Sequence, residues 1–563
     1  MTKFLLFVIL NLRIKGDKMD EIKVIYKDKN YTFKKGITLF EVSKNFSEEY
    51  HHDILVGKVN VDIVPLNFIL NDDCKIDFFD VTSVIGNKAY ERSAMLILAK
   101  ATHDVMHKDV RIEHSIDKGI YCVIDGLTKE KTDAILNKMK ELVNANLPIE
   151  KFLMNRIQMM KYYEETNQKD KAELLKYISN THVTIYRLSN IYDYMYGEMV
   201  LSTGYIKEFN LEYLDNNGCV LMIPTPYDSK VNDYSHHEKI FNAIMNYLNW
   251  AHNIGINNIT DVNKMLSDGK WNDLIFMCEA SLNKELIDIS DTISSNENIK
   301  LVLISGPSCS GKTTTSKKLQ LFLRAKGIEP FTLSIDDYFK ERDETPLDEN
   351  GKRDYESINA LDTDLFNEQL TKLLNGEEVT MPTFNFVTGK KEYKNKLKVP
   401  KNGILILEGL HALNDELTKS IDSSKKYKIY ISPLTCLNLD NHNRLNTTDN
   451  RIIRRLVRDN LRRGYNASET LESWGRVRSG ETKYVFPYQD KADIVLNTSL
   501  IYEMSVLKVY AEPLLFSVRE TDPNYREAIR LINILRMVLP MPAASIPNDS
   551  ILREFIGNGC FDE

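Results

Sequence analysis

"LVLISGPSCSGKTTTSKKLQLFL", residues 301–323, decides the architecture of the second half of this chain. Leu301 to Ser305 is a short apolar run bounded by turn residues, which predicts a buried strand. Gly306-Pro307-Ser308-Cys309-Ser310-Gly311-Lys312-Thr313 then fits the pattern G-x-x-x-x-G-K-[ST]. Glycines let a backbone wrap closely around a polyphosphate with its N–H groups turned inward. The helix that follows adds its positive end. The pattern therefore predicts a nucleoside-triphosphate (ATP) site, with phosphates held from Gly306 through Ser308, Ser310 and Gly311 to Thr314. Lys312 is expected to reach the β- and γ-phosphates, and the Thr313 hydroxyl to ligate Mg²⁺. A Gly/Ser turn that carries a lysine by chance explains neither the strand before it nor the amphipathic helix after it.

Downstream, "FTLSIDDYF" is a strand that ends in Asp336 and Asp337, followed by Tyr338. In a doubly wound sheet, ligands sit at the carboxyl ends of the strands, so these carboxylates are expected to face the nucleotide. One could take a proton from an attacking hydroxyl and another hold Mg²⁺ through water, although such a pair is as often a turn or a helix cap. "GILILEGLHAL" is a second buried strand and ends in Glu408, a further acidic group for the metal. "RIIRRLVRDNLRRG" carries arginines at 451, 454, 455, 458, 462 and 463, a spacing that gathers them on one side of a helix. Arginines concentrated in this way suit the oxygens of a transferring phosphoryl group.

At 563 residues the chain is expected to hold several domains, each with its own core. A net charge of −7 argues against wholesale nucleic-acid binding and leaves room for a local basic patch. Seven cysteines without a C-x-x-C pair favour free thiols in a reducing compartment. The apolar run "FLLFVILNL" is too short to span a bilayer and lacks a small-residue cleavage site. Codons for Lys15 to Lys18 can spell a ribosome-binding sequence, so Met19 is the expected start, residues 1–20 an untranslated or disordered extension, and the location cytoplasmic, with no membrane partner.

Residues 21–83 show short alternating strand-like runs around one helical piece, "TLFEVSKNF", which suggests a β-grasp module. Residues 84–225 mix helices (around 91–108 and 130–145) with strand runs such as "GIYCVID" and "VTIYRL". Residues 226–296 read as a helical connector, with "SDTISSNENIK" a polar linker into the phosphate-loop segment 297–500, and 501–563 as a helical C-terminal extension.

The segment from about 299 to 500 resembles the uridine kinase and phosphoribulokinase family of P-loop kinases. The matches are "GPSCSGKTT", "SIDDYF", "ALDTDLFNEQLTKLLNGEEVTMPTFNF", "ILEGLHAL" and "RRLVRDNLRRG", in that order. The resemblance implies an α/β, doubly wound parallel-sheet kinase that phosphorylates a nucleoside 5′-hydroxyl from Mg-ATP. It makes Asp336 the general base and places Glu408 in the metal environment. Arg455, Arg458 and Arg463 become the lid over the phosphates, and Asp337, Tyr338, Glu356 and Phe384 line the acceptor side. The chain also departs from the family. Uridine kinases read Phe-Asp-His-Pro where Tyr355-Glu356-Ser357-Ile358 stands, and Tyr-Asp-Phe where Phe384-Asn385-Phe386 stands. The histidine that recognises their base falls near Gly389. The reaction class is thus better marked than the nucleoside.

Residues 21–83 resemble the TGS domain of threonyl-tRNA synthetases, and residues 84–225 resemble their second additional domain, through "VRIEHSIDKGIYCVID" and "VTIYRLSNIYDYMYGEMVLSTGYIKEFNL". That likeness supplies an alternative function, an RNA- or tRNA-sensing protein whose P-loop acts as a switch. Hydrolytic editing requires an H-x-x-x-H helix and a later C-x-x-x-H. Those positions fall here on Arg92, Leu96, Met195 and Met199, so editing is not expected. Contact with RNA or tRNA through this half, and an oligomer, stay open. His103 and His107, spaced i, i+4, read as surface histidines rather than a metal site.

Overall fold

The computed structural model describes residues 21–561, apart from 215–216, 232, 348–350, 352, 386–387, 401–402, 436 and the side chain of Lys394. The expected 1–20 extension with its Met19 start, the Phe386 position and Cys436 lie outside the described residues. The chain divides into two compact units, residues 1–162 with 180–234, and residues 163–179 with 235–563.

The first unit begins with a five-stranded mixed sheet built from Glu21–Tyr26, Lys29–Lys34, Val56–Val59, Asp62–Pro65 and Cys74–Phe79. The first and last of these run parallel and adjacent, the arrangement of a β-grasp. "EIKVIY" alternates exposed and buried residues along its length, so one face meets the core. The short helix Leu39–Ser43 begins at a capping box made by Thr38 and Glu41. Beyond it, the helices Val84–Met106 and Lys129–Asn144 share one apolar core with a four-stranded antiparallel sheet, whose strands include Gly119–Val123 and Gly218–Met222.

The second unit is organised by a five-stranded sheet in which every pairing is parallel. Its strands are β1 (Leu301–Ser305), β2 (Glu329–Ser334), β3 (Gly403–Glu408), β4 (Lys426–Ser432) and β5 (Ile494–Asn497), in the spatial order β2-β3-β1-β4-β5. β1 and β3 are buried at every position, as central strands covered on both faces must be. From β1 the chain passes to one edge, through helix α1 (Lys312–Ala325), and from β3 it crosses to the other side. The topological switch point therefore lies between the carboxyl ends of β1 and β3, where a doubly wound sheet binds its ligands. Two further helices, α2 (Thr447–Arg463) and α3 (Ala467–Tyr484), follow β4.

Two boundaries differ from the sequence reading. The "polar linker" from Ser290 is helical through Ser294, because Ile289, Ser290 and Ile293 are buried on one face of the helix Trp271–Ser294. Residues 163–179, expected within the 84–225 domain, pack with the second unit. There the helix Lys169–Lys176 buries Lys171, whose Nζ lies 2.7 Å from His442 Nδ1, and the Asp170 carboxylate accepts the Asn441 N–H at 2.9 Å. Among the described residues, no helix is long and apolar enough to cross a membrane.

Candidate active site

The loop after β1 makes its turns with backbone that few side chains tolerate. Cys309 has φ +61° and Gly311 φ +85°. A Cβ on Gly306 would collide with the carbonyl oxygen of Ile431, so only glycine lets this loop lie against β4. Lys312 opens α1, and its Nζ donates to the carbonyls of Gly306 (3.1 Å) and Pro307 (3.2 Å). Its charge is thus folded back over the loop it serves. The Ser305 hydroxyl donates to the Leu410 carbonyl at 2.6 Å and ties the end of β1 to the loop after β3.

The arginine helix divides into three groups, which corrects the reading that gathered all six on one side. Arg451 and Arg454 are fully buried and hold the loop from behind. Arg451 Nε donates to the Ser308 carbonyl at 3.1 Å and its guanidinium pairs with Glu481. Arg454 donates to the carbonyls of Cys309 (3.1 Å) and Thr498 (2.9 Å) and pairs with Glu503. Arg455, Arg458 and Arg463 cluster around the buried carboxylate of Asp459, at 3.1, 2.9 and 3.5 Å. Arg455 also reaches the Ser308 hydroxyl at 3.1 Å. Arg462 turns away, and its Nε donates to the Glu554 carbonyl at 3.0 Å.

Asp336 stands one residue into the short turn Ile335–Tyr338 that follows β2. It is open to the cleft yet surrounded by protein, which raises its pKa, while the charges of Lys312, Arg463 and Arg458 pull the other way. Burial together with the Asp336 charge pushes the Glu408 carboxyl up to about 7. Glu408 closes β3 at the switch point. The Asp336 charge adds to the cost of ionising Glu408, and carboxylates are hard oxygen donors of the kind that suit Mg²⁺.

Asp337 and Tyr338 have other partners than an acceptor. The Asp337 carboxylate accepts the Phe384 N–H at 3.2 Å and fixes the strand Glu378–Asn385. Tyr338 is buried, packs edge-on against Phe366 and donates its hydroxyl to Gln369 Oε1 at 2.8 Å. Tyr338 therefore belongs to the core, and its expected place against the substrate is corrected accordingly.

Glu356 lies where burial and the Glu481 charge push its carboxyl up to about 7, against the pull of Arg455. The rings of Tyr355, Phe339 and Phe384 form an aromatic wall beside it, with centroids 6.3 and 5.7 Å apart along the series. Gly389, at φ +71°, has no room for a side chain, since a Cβ there would meet Arg342 at 2.8 Å.

Sequence reasoning missed His411, Glu481 and Glu554. His411 is buried inside "GLHAL", and burial holds its pKa down to about 4, so it is neutral. Its Nε2–H donates to the Glu356 carbonyl at 3.0 Å. No local pattern marks the role of Glu481 at the loop, since Arg451 and Ser308, which it holds, lie 30 and 173 residues away in sequence.

The positions of an editing centre in the first unit are filled. Leu96, Met195 and Met199 belong to the apolar core, and Arg92 donates through Nε and Nη2 to the Glu198 carbonyl at 3.0 and 2.8 Å.

A phosphate loop at the switch point of a parallel sheet, faced by a carboxylate and lined by an arginine helix, defines a P-loop kinase domain. Residues 301–501 match the model of the phosphoribulokinase / uridine kinase family. A uridine kinase of Anoxybacillus flavithermus is 29% identical over 194 residues, covering 34% of this chain and 83% of that protein. A uridine kinase of Halalkalibacterium halodurans is 27% identical over 197 residues, covering 35% and 84%. The N-terminal part is similar to a threonine–tRNA ligase of Caldanaerobacter subterraneus subsp. tengcongensis, 29% identical over 185 residues, or 32% of this chain. The chain spans only 29% of that ligase's length.

Proposed function

We propose that the second unit transfers the γ-phosphoryl group of ATP to the 5′-hydroxyl of a nucleoside. The observation that carries this reading is Asp336, a carboxylate at the mouth of the phosphate loop within the field of Lys312, Arg458 and Arg463. A nucleotide switch needs phosphate and cation ligands. It has no use for an extra carboxylate facing an acceptor.

Asp336 accepts the proton of the attacking hydroxyl. Lys312, released from Gly306 and Pro307, turns to the β- and γ-phosphates, and Arg455, Arg458 and Arg463 spread the negative charge that develops on the transferred group. Thr313 and Glu408 would hold Mg²⁺, which when bound would neutralise phosphate charge. Glu356 accepts from the sugar hydroxyls, and the wall of Phe339, Tyr355 and Phe384 lies along the base. An aromatic wall without a fixed polar reader discriminates between bases weakly. A pyrimidine nucleoside is the acceptor this reading favours, because uridine kinases of Anoxybacillus flavithermus and Halalkalibacterium halodurans are similar over this segment. The similarity of the first unit to threonine–tRNA ligases supports RNA contact there as an accessory role.

Measuring kcat/KM across uridine, cytidine, adenosine, guanosine and ribulose 5-phosphate, with and without tRNA, tests the proposal. Turnover of a pyrimidine nucleoside supports it. Good turnover of another acceptor alone would leave only the kinase class standing.

A further inference from the structure

The first turn of α1 carries an anion that belongs to the chain itself. The Glu554 carboxylate accepts the Thr314 N–H at 3.3 Å and the Thr314 hydroxyl at 2.8 Å, both through Oε2. Thr314 directly follows the Lys312-Thr313 pair, in the loop-and-helix junction whose N–H groups cradle phosphates. One N–H cannot serve a carboxylate and a phosphate oxygen together.

The segment that delivers Glu554 is anchored on both elements that must handle the nucleotide. On α1, Lys318, with a side chain only 2% exposed, pairs with Asp549 at 2.9 Å. Lys317 donates to the Phe561 carbonyl at 2.9 Å. Ile551 lies against Gly311, where a Cβ would meet its Cγ2 at 2.6 Å. On α2, Arg462 holds the Glu554 carbonyl, as described above. Arg553 stiffens the segment from within by donating to the carbonyls of Ala543 (3.0 Å) and Ile546 (2.7 Å). The charge of Glu554 acts on both Glu408 and Arg458.

We propose that residues 549–556 form an autoinhibitory strap in which Glu554 occupies a phosphate position of the loop and must leave before a nucleoside triphosphate seats. The proposal rests on the reading of this loop as a nucleotide site. A tethered carboxylate competes at a high effective concentration, and apparent affinity falls by the fraction of molecules in which the strap is lifted. If one molecule in 10 to 100 is open, nucleotide binds roughly 10- to 100-fold more weakly than to an unstrapped loop. The strap also touches the arginine helix, so lifting it frees Arg462 at the same moment.

The test is the Kd of Mg-ADP and Mg-ATP for the full chain and for Glu554→Gln and Glu554→Ala, read by calorimetry. Both variants are expected to bind at least about fivefold tighter, with Glu554→Ala the stronger effect because it vacates the N–H as well as the charge. Without nucleotide, Glu554→Ala is expected to melt below the parent, having lost a helix cap, and to show a larger rise in Tm on adding Mg-ADP. A Kd equal within about twofold, or weaker in both variants, overturns the strap while leaving the nucleotide site in place. Failure of the parent and both variants to bind either nucleotide is a separate outcome that removes the site and the strap together.

Discussion

The carboxylate of Glu481, fully shielded from water, accepts the backbone N–H of Ser308 at 2.8 Å while pairing with Arg451 and Arg478. One acidic group on α3 therefore sets the shape of the phosphate loop from outside it. Glu481→Ala leaves a buried guanidinium uncompensated, which costs about 3–5 kcal/mol. Glu481→Gln keeps an acceptor for Ser308 and is expected to lose less. Urea unfolding of the three proteins measures this, and a loss under about 1 kcal/mol in the alanine variant would contradict it.

Lys312→Ala is expected to abolish phosphoryl transfer and leave Tm within a few degrees of the parent. The lysine is partly exposed and acts through its charge rather than through packing. Turnover within tenfold of the parent would sink the kinase reading.

Glu356 supplies a pH dependence. Its carboxyl sits at about 7 in the folded chain against an ordinary value of 4.5. Between those values the unfolded chain gives up its proton first, so stability falls as pH rises from about 4.5 to 7 and the penalty is complete above 7. Glu356→Gln, which cannot ionise, is expected to exceed the parent's stability above pH 7 by up to about 3 kcal/mol, less what partial exposure screens. The advantage should vanish near pH 4. Equal unfolding midpoints at pH 8 would show that Glu356 carries no such burden. For activity the sign reverses, because a carboxylate is needed to accept from a sugar, and kcat/KM should climb through neutrality.

A chain beginning at residue 226 is expected to keep measurable kinase activity, since no site residue precedes Gly306. It should melt below the intact protein, because it lacks the helix that buries Lys171 beside His442. A Tm equal to that of the intact protein would mean that this helix contributes nothing to the second unit.

The intact protein is expected not to deacylate mischarged threonine tRNA. Arg92, Leu96, Met195 and Met199 offer no group that activates water. Hydrolysis above the uncatalysed rate would show that another centre replaces theirs.

The parallel sheet and the phosphate loop with the two acidic strand ends of the candidate site were legible in the sequence because local patterns carry them. A buried strand, a glycine loop and a lysine at a helix start are consecutive residues, and Asp336 and Glu408 each end an apolar run. What stayed hidden depends on partners distant along the chain. Arg454 and Arg455 are neighbours of one type, and only the position of Glu503 and Thr498 makes the first structural and the second available. The exposed face of a helix and its buried face both tolerate arginine once a carboxylate waits inside. Tyr338 was misplaced for a related reason, since its hydroxyl is satisfied by Gln369, which no motif announces. Glu554 lies 240 residues beyond the threonine it caps.

The excursion of residues 163–179 into the second unit gives the chain a timetable as it leaves the ribosome. Residues up to 234 can close the first unit while the rest is still being made. The stretch from 163 to 179 cannot settle then, because Asn441 and His442, which receive Asp170 and Lys171, are about 270 residues away in the order of synthesis. For tens of seconds, at roughly 5–20 residues per second, a helix with buried-type residues waits as a loop on an otherwise finished module. A chaperone or an early protease would meet the protein there first.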